Sequence, residues 1–304
     1  MTDIRRRVLT ALALERTPGF NYSGNLLGTR FTDITPARAR LAMDQGPYVE
    51  DPQGHADIAA VSLLADISMG TVERANLSPE QRLATVSMSL QFTGAPFAGA
   101  LQGEGTFQNF VRGADSTQGL CRVAVSAGGV PAILGQGAFM VMNPPAGRTM
   151  YPLVSADHAA ATPLREDELD EREQFILARA AQALEATGGG RGFLRHFWGF
   201  LPAASADGAS CKVANGPHLG NRVGHLQGGL QLGMAMLTAE AALPPGWATT
   251  GISAFFLSPG VGDDITAHAR LQHRGRNTAV VQTTLTGHEG RTVLQAVTTH
   301  LRRD

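Results

Sequence analysis

The sequence predicts an α+β protein that contains two copies of one unit, an antiparallel sheet wrapped around a long apolar helix. Three observations lead to this prediction: a repeat at an offset of 170 residues, an apolar run of helical length in each copy, and strand-like alternation after each run. The chain has 304 residues, of which 43% are hydrophobic and 17% are charged. It is therefore long enough to bury the cores of two domains.

The repeat is defined by glycine, proline and histidine. Residues 46–60 read GPYVEDPQGHADIAA, and residues 216–230 read GPHLGNRVGHLQGGL. Both stretches contain Gly-Pro and, at the same spacing, Gly-His. We interpret the two halves as domains of one fold, covering 1–145 and 164–304. The stretch 146–163 is rich in proline, alanine and polar residues, and we interpret it as a linker.

Each half begins with a predicted helix. The first spans roughly 2–15, where apolar residues recur with helical spacing. The second is expected to start near Thr162-Pro163, because acidic residues, which a helix N-terminus favours, follow this point. It is expected to stop at the three glycines at 188–190.

A central helix follows each copy of the repeat. The runs IAAVSLLADISMGTVERA and GGLQLGMAMLTAEAAL are apolar throughout and long enough to be buried helices. Each run leads to a strand that ends in a hydroxyl residue, Thr93 in the first half and Ser258 in the second. The segments after these strands alternate with a period of two between Gly-rich turns, which predicts antiparallel hairpins with one covered face.

Composition narrows the possible functions and locations. The net charge is −1 and the basic residues are scattered, whereas a nucleic-acid-binding protein needs a basic stripe. No segment approaches the ~18 apolar residues of a membrane span, and the N-terminal apolar run is too short for a signal peptide. Cys121 and Cys211 are far apart, as expected of free thiols in a reducing compartment. We therefore expect a cytoplasmic protein with neither nucleic acid nor membrane as partner.

Two kinds of catalytic site are not predicted. The histidines show no paired spacing typical of metal ligands, so no metal site is expected. No G-x-S-x-G segment is present, which argues against the nucleophile elbow of a serine hydrolase.

The segment Asn221-Arg-Val-Gly-His-Leu-Gln227-Gly228-Gly229 resembles the N-x-x-G-x-x-H-G-G segment of hotdog-fold acyl-CoA thioesterases. The resemblance is to the phenylacetate-degradation and thioesterase-superfamily type. In that family the segment leads into the central helix, and an acidic residue lies nine positions after the motif's histidine. Here Gln227 replaces the histidine, and the residue nine positions later is Met236, so the second half lacks the acid.

The first half supplies the missing acid. Asp57 is equivalent to Gln227, and Asp66 follows it by nine positions. The first half in turn lacks the glycines, because Ile58 and Ala59 occupy their places, and it carries Asp51 where the second half has Asn221. Each half thus retains what the other has lost.

In the resembling family the active site lies at a dimer interface, with the asparagine and glycine amide from one subunit and the acid with a serine or threonine from the other. The resemblance therefore implies that the two halves form an intramolecular pseudo-dimer with one composite site. Asn221 and Gly228 would come from the second half, and Asp66 and Thr93 from the first. The opposite position, with Asp51, Ile58, Met236 and Ser258, would be inactive.

The resemblance also implies roles for these residues in acyl-CoA hydrolysis. Free N–H groups at a helix N-terminus can stabilise the negative charge that develops on the thioester carbonyl, which assigns that role to Gly228. Asp66 would act as general base or as nucleophile, and both options remain open. Asn221 would orient the water or the carbonyl, and Thr93 would hydrogen-bond to Asp66 or to the water.

Further residues are expected to bind the substrate. Gln227, Gly229 and His225 belong to the motif segment, although the presence of a histidine in both halves favours a structural hydrogen bond. Arg274 and Arg276 fall in a predicted strand turn and are candidates for the phosphates of coenzyme A. Coenzyme A enters only as part of the substrate, and no cofactor is expected.

Two other functions remain open at this point. One is a non-catalytic protein that binds acyl-CoA or another hydrophobic ligand. The other is a hotdog hydratase or dehydratase, in which His55 would pair with Asp51 or Asp57. Because the family often pairs double-hotdog units, we also expect a homodimer of the whole chain.

Overall fold

The computed structural model describes residues 3–17, 22–143 and 160–303, so most of the predicted linker at 146–163 lies outside the described residues. The helices are α1 (Asp3–Glu15), α2 (Tyr22–Leu27), α3 (Ile58–Arg74), α4 (Glu171–Ala186), α5 (Phe193–Trp198) and α6 (Gly228–Ala241). The strands are β1 (Arg30–Ile34), β2 (Arg38–Met43), β3 (Arg82–Phe92), β4 (Leu101–Arg112), β5 (Thr117–Ala127), β6 (Val130–Met142), β7 (Ala203–Ser205), β8 (Gly208–Ala214), β9 (Trp247–Phe256), β10 (Asp264–Arg274), β11 (Thr278–Thr286) and β12 (Thr292–Arg302).

The strands form one antiparallel sheet in the order β1-β2-β4-β5-β6-β3-β9-β12-β11-β10-β8-β7. From the central pair outward, β3, β6, β5, β4, β2 and β1 of the first half correspond to β9, β12, β11, β10, β8 and β7 of the second half. The sheet therefore has a pseudo-two-fold axis between β3 and β9. These two strands pair directly, with Ser89 opposite Ser253, and the two serine hydroxyls are 3.2 Å apart. The two copies of the repeat are therefore joined through their central strands into one continuous sheet.

The two central helices, α3 and α6, pack against each other as well as against the sheet. A Cβ atom on Gly229 would lie 2.5 Å from the Cα of Leu63, and one on Gly233 would lie 2.3 Å from the Cβ of Ala59. Positions 229 and 233 are equivalent to 59 and 63 in the repeat, so each helix uses the same two positions, as in a symmetric dimer. The glycines of α6 allow the helices to cross this closely.

The repeated loop before each central helix has the same hydrogen bonds in both halves. Asp51 Oδ1 accepts a hydrogen bond from the His55 backbone N–H at 3.0 Å, and Asn221 Oδ1 accepts one from the His225 backbone N–H at 3.1 Å. The glycine before each histidine has a left-handed φ, +87° in the first half and +85° in the second. The Gly-His repeat therefore has a structural basis in the shape of this loop.

Helix α4 starts later than the sequence predicts. The predicted start near Thr162-Pro163 is wrong, because a short 3₁₀ turn at 166–168 intervenes and the helix begins at Glu171. A capping box fixes this start: Asp170 Oδ1 accepts from the Glu173 N–H at 2.8 Å, and Glu173 Oε2 accepts from the Asp170 N–H at 3.0 Å. Helix α1 runs alongside α4, and Arg16 binds Glu173 at 2.6 Å. No helix among the described residues is long and apolar enough to cross a membrane.

Candidate active site

A cavity of about 390 Å³ lies between α3 of the first half and the start of α6 in the second. Both halves contribute to its walls. Five of the residues assigned to this site from the sequence line it: Asp66, Asn221, His225, Gln227 and Gly228. Ser258 lines it as well, so its assignment to the opposite, inactive position is wrong. The structure thus brings the acid of one half and the glycine motif of the other to a single cavity.

The Asp66 carboxylate contacts the second half directly. Its side chain is buried, its Oδ2 accepts a hydrogen bond from the Gly229 N–H at 3.0 Å, and Thr85 Oγ1 donates to its Oδ1 at 3.4 Å. Burial raises the pKa of Asp66 to about 6, while hydrogen bonds from Gly229, Thr85 and Gln227 act in the opposite direction. The group is therefore ionised at neutral pH and basic enough to accept a proton from water.

The start of α6 is capped by the other half of the chain. In α3, Asp57 caps its own helix by accepting from the Ala59 N–H at 2.9 Å. In α6 the N-cap residue is Gln227, whose side chain makes no capping bond, and Gly229 is the residue equivalent to Ala59. Asp66 accepts the Gly229 N–H that the Gln227 side chain does not cap, so a carboxylate of the first half acts as the cap of α6.

The Gly228 backbone lies beside this carboxylate. Gly228 is the first residue of α6, so its N–H has no partner within the helix, and no described residue accepts a hydrogen bond from it. A Cβ atom at this position would lie 3.1 Å from Asp66 Oδ2 and 3.2 Å from Thr85 Oγ1. The missing side chain therefore leaves room for a ligand atom between the helix start and the acid.

The opposite position of the pseudo-dimer is built differently. At the start of α3, Asp57 forms an ion pair with Arg195 of α5 at 2.5 Å. Ile58 and Ala59 place side chains where the other half has glycines, and the position equivalent to Asp66 is Met236. The carboxylate at this helix start is already paired with Arg195, and the acid of α6, Glu240, lies one turn beyond the position equivalent to Asp66 and accepts a hydrogen bond from Thr249 Oγ1 at 2.7 Å.

Thr93 lies outside the cavity lining. Its Oγ1 donates to the Pro131 carbonyl at 2.7 Å and accepts from the Ala95 N–H at 3.2 Å, so it shapes a loop. The hydroxyl that contacts Asp66 belongs to Thr85, which sequence reasoning missed. The register of β3 against β6 shifts between Thr85 and Ser87, which marks an irregularity in the strand. Such a shift leaves no clear signal in an alternating sequence.

Arg274 and Arg276 also lie away from the cavity. Both are exposed at the turn between β10 and β11. The neighbouring turn residue Asn277 accepts a hydrogen bond from the Arg302 N–H, and Arg302 pairs with Trp247 at the start of β9. The cavity lies at the other end of β9, where Phe256 forms part of its wall.

Three other arginines line the cavity instead: Arg74, Arg82 and Arg222. Arg74 lies in the last turn of α3, and burial lowers its pKa to about 10. The sequence offers no signal for them, since a single arginine at a helix end or in a loop is usually solvated. No group of three or more His, Cys, Asp or Glu side chains within the described residues is arranged to hold a metal ion.

Comparison with known proteins identifies the fold and matches part of the chain to a thioesterase domain. Residues 218–301 match the family model of the acyl-CoA thioesterase N-terminal domain. No curated protein sequence matches the chain. Several solved structures are similar over both halves. The 12:0-ACP thioesterase from Umbellularia californica has 9% identity and a TM-score of 0.54, over 88% of this chain and 94% of that chain.

Two further structures show the same extent of similarity. The tesB protein of Mycobacterium avium subs paratuberculosis has 12% identity and a TM-score of 0.51, over 90% of this chain and 96% of that one. A hot dog fold protein of unknown function from Alicyclobacillus acidocaldarius has 9% identity and a TM-score of 0.50, over 88% of this chain and 94% of that one. At these identities the similarity concerns the fold, and it confirms the predicted pair of hotdog units.

Proposed function

We propose that this double-hotdog chain, whose second half matches an acyl-CoA thioesterase domain, hydrolyses an acyl-CoA to the free acid and coenzyme A. The observation that carries the proposal is the contact between the two halves at the cavity. The Asp66 carboxylate from α3 lies 3.0 Å from the Gly229 nitrogen at the start of α6, beside the N–H of Gly228. This contact supports the assignment of Asp66 as the base and of the Gly228 N–H as the oxyanion donor for a thioester bound in the cavity.

The proposed reaction uses both groups in one step. The thioester carbonyl binds at Gly228, whose N–H donates to the carbonyl oxygen as negative charge develops there. Asp66 accepts a proton from a water molecule, and the water oxygen attacks the carbonyl carbon. The C–S bond then breaks, and the proton passes from Asp66 to the departing thiolate. We favour the general base over the nucleophile because both oxygens of Asp66 already accept hydrogen bonds.

Asn221 is assigned two tasks in this proposal. Its Oδ1 holds the loop before α6, accepting the N–H groups of Val223 and His225. Asp51 makes the equivalent bonds in the first half, so the loop alone does not require an asparagine. What distinguishes Asn221 is its neutral amide, whose N–H₂ can donate to the water or the carbonyl without repelling the oxyanion.

Thiol release from a panel of acyl-CoA substrates tests the function. We expect release of coenzyme A from at least one acyl-CoA of the panel. Binding without release would favour the non-catalytic ligand-binding protein instead. The hydratase alternative has less support, because Asp51 is engaged in its loop, Asp57 is paired with Arg195, and His55 is exposed.

The proposal requires no cofactor, and coenzyme A takes part only as a portion of the substrate. Activity is therefore expected to persist when the thiol-release assay contains a metal chelator, and a loss that added metal restores would contradict this. A cytoplasmic location, without nucleic acid or membrane as partner, likewise remains a proposal; the protein is expected in the soluble fraction after lysis.

We further propose that two chains associate into a homodimer. Large apolar side chains are exposed on the strands next to the pseudo-two-fold axis, with Leu134 51%, Phe255 56% and Val297 42% accessible. Exposed apolar groups of this size on neighbouring strands are typical of an interaction surface. Sedimentation equilibrium is expected to give twice the chain mass of 32.0 kDa. Phe255→Glu should shift the mass to that of one chain, and a monomeric wild-type protein would contradict the proposal.

A further inference from the structure

The cavity extends from the catalytic acid along one face of α3. Asp66, Gly70 and Arg74 are spaced by four residues, so they lie on the same side of the helix, and all three line the cavity. A Cβ atom on Gly70 would have no neighbour within 4 Å, so the cavity passes over this residue. The space beside α3 is thus open between the acid and the arginine.

The distance between the two ends of this space is short. Eight residues of α-helix rise about 12 Å, and the Cα–Cβ bond of Arg74 is tilted toward the helix N-terminus, which is the direction of Asp66. Apolar side chains line the cavity in this region, including Leu83, Phe139 and Met142. A substrate group bound here would have an apolar body and would end at a cation.

The Arg74 charge is poorly compensated by the protein. Burial lowers its pKa to about 10, and the nearby charge of Arg222 acts in the same direction. The acidic neighbour Glu73 raises it, but the Glu73 side chain is engaged on the sheet side, where Cys121 Sγ lies 3.6 Å from its Oε2. No carboxylate among the described residues forms a hydrogen bond or ion pair with Arg74. A partly buried cation in this state is costly unless a bound anion compensates it.

We propose that the acyl group of the substrate carries a carboxylate at the end remote from the thioester, and that Arg74 and Arg222 bind it. This inference rests on the proposed thioesterase function. The phosphates of coenzyme A are the other anions of such a substrate. Its pantetheine arm matches about five extended residues in length and spans roughly 15 Å or more when extended, which exceeds the axial rise of about 12 Å between Asp66 and Arg74.

Four substrates separate these sources of negative charge. Adipyl-CoA and hexanoyl-CoA have acyl chains of equal length, and only the first ends in a carboxylate. The N-acetylcysteamine thioesters of the same two acids lack every phosphate. The wild-type enzyme is expected to show a kcat/KM on the order of tenfold or more higher for the adipyl substrate in both series.

The variant Arg74→Met is expected to lower the adipyl-to-hexanoyl ratio of kcat/KM by on the order of 30-fold in both series. Arg74→Lys keeps the charge and should retain part of the preference. Because lysine is a smaller change than methionine, this variant also tests the inference if Arg74→Met does not fold. Arg270→Met removes an exposed arginine from β10 and serves as the matched control, with an unchanged ratio.

Three results would overturn the inference. One is a wild-type enzyme without preference for the adipyl substrates. The second is an Arg74→Met variant with an unchanged ratio. The third is an effect of Arg74→Met that is equal for both coenzyme A substrates and absent for both N-acetylcysteamine thioesters, which would assign Arg74 to the phosphates. Absence of hydrolysis for all four substrates, and for the wider acyl-CoA panel, would instead contradict the proposed function itself.

Discussion

Asp66→Asn is expected to lower kcat/KM for thioester hydrolysis by on the order of 10³-fold, because the amide cannot accept the proton of the attacking water. The shape of the site should survive. Asparagine has the same size as aspartate, and its Oδ1 can still accept the Gly229 N–H that Asp66 now binds at 3.0 Å. Thiol release from the best acyl-CoA substrate measures the effect.

Stability is expected to change in the opposite direction. Burial raises the pKa of Asp66 from 3.8 to about 6, so the folded protein disfavours the ionised form. The resulting penalty is absent below the unfolded pKa, grows as the pH rises, and is complete above about pH 6. Asp66→Asn should therefore leave the melting temperature at pH 8 unchanged or raise it, by an amount equivalent to at most about 3 kcal/mol. A large fall in melting temperature would show that the activity loss reflects misfolding.

Asp57→Asn is the matched control for this substitution. It changes the pseudo-symmetric helix start, where asparagine can still cap α3. Its activity should stay within a few-fold of the wild type. Full activity of Asp66→Asn together with an inactive Asp57→Asn would move the active site to the other side of the pseudo-dimer.

The same carboxyl group sets the expected pH dependence. Only ionised Asp66 can act as a base, so kcat/KM should fall about tenfold per pH unit below its pKa of about 6 and level off above it. A rate that increases as the pH falls from 7 to 5 would contradict the role of a base.

Gly228→Ala is expected to lower kcat/KM by on the order of 10²-fold without loss of stability. Its new Cβ would lie 3.1 Å from Asp66 Oδ2, in the space assigned to the thioester carbonyl. Because alanine favours helices more than glycine does, the melting temperature should not fall.

The adjacent substitution, Gly229→Ala, is expected to lower the stability of the protein. A Cβ at 229 would lie 2.5 Å from the Cα of Leu63, so α3 and α6 would have to separate. We expect a loss of about 1–3 kcal/mol in unfolding free energy. Thermal unfolding and thiol release on both variants test the pair. An active Gly228→Ala enzyme would show that the thioester does not bind at this backbone position.

The fold could be predicted because its signals are local or repeated. Each apolar run predicts a helix and each alternating segment predicts a strand. The repeat indicates that the same set of helices and strands occurs twice. The repeat also led to Asp66, since the acid absent at Met236 is present at the equivalent position of the first half. These inferences need only counting along the chain.

Other features depend on the packed structure. Thr85 contacts Asp66 from a strand whose register shifts beside it, and the alternating sequence does not reveal that shift. Arg274 and Arg276 lie at a turn between strands, as expected from the sequence. This turn, however, is near the start of β9, whereas the cavity is at the end of β9. The partial burial of Arg74 depends on the contact of α3 with a loop of the other half, which contains Arg222. None of these properties belongs to a single segment.

The lack of a side chain at Gly229 has a different structural reason from the one that the sequence suggests. The sequence suggests that its missing side chain serves the substrate. The structure uses the missing Cβ for the contact with Leu63, and the N–H for the bond to Asp66. Gly229 therefore serves both the packing of the two helices and the hydrogen bond to Asp66, and Gly228 lines the cavity.

The central claim is that each chain contains one composite site, with the acid from the first half and the helix start from the second. Its most direct test is the stoichiometry of a non-hydrolysable thioether analogue of the preferred acyl-CoA, measured by isothermal titration calorimetry. We expect one molecule bound per chain, and the loss of that binding in a Gly228→Trp variant. Two equivalent molecules per chain, or one molecule whose binding survives Gly228→Trp, would contradict it.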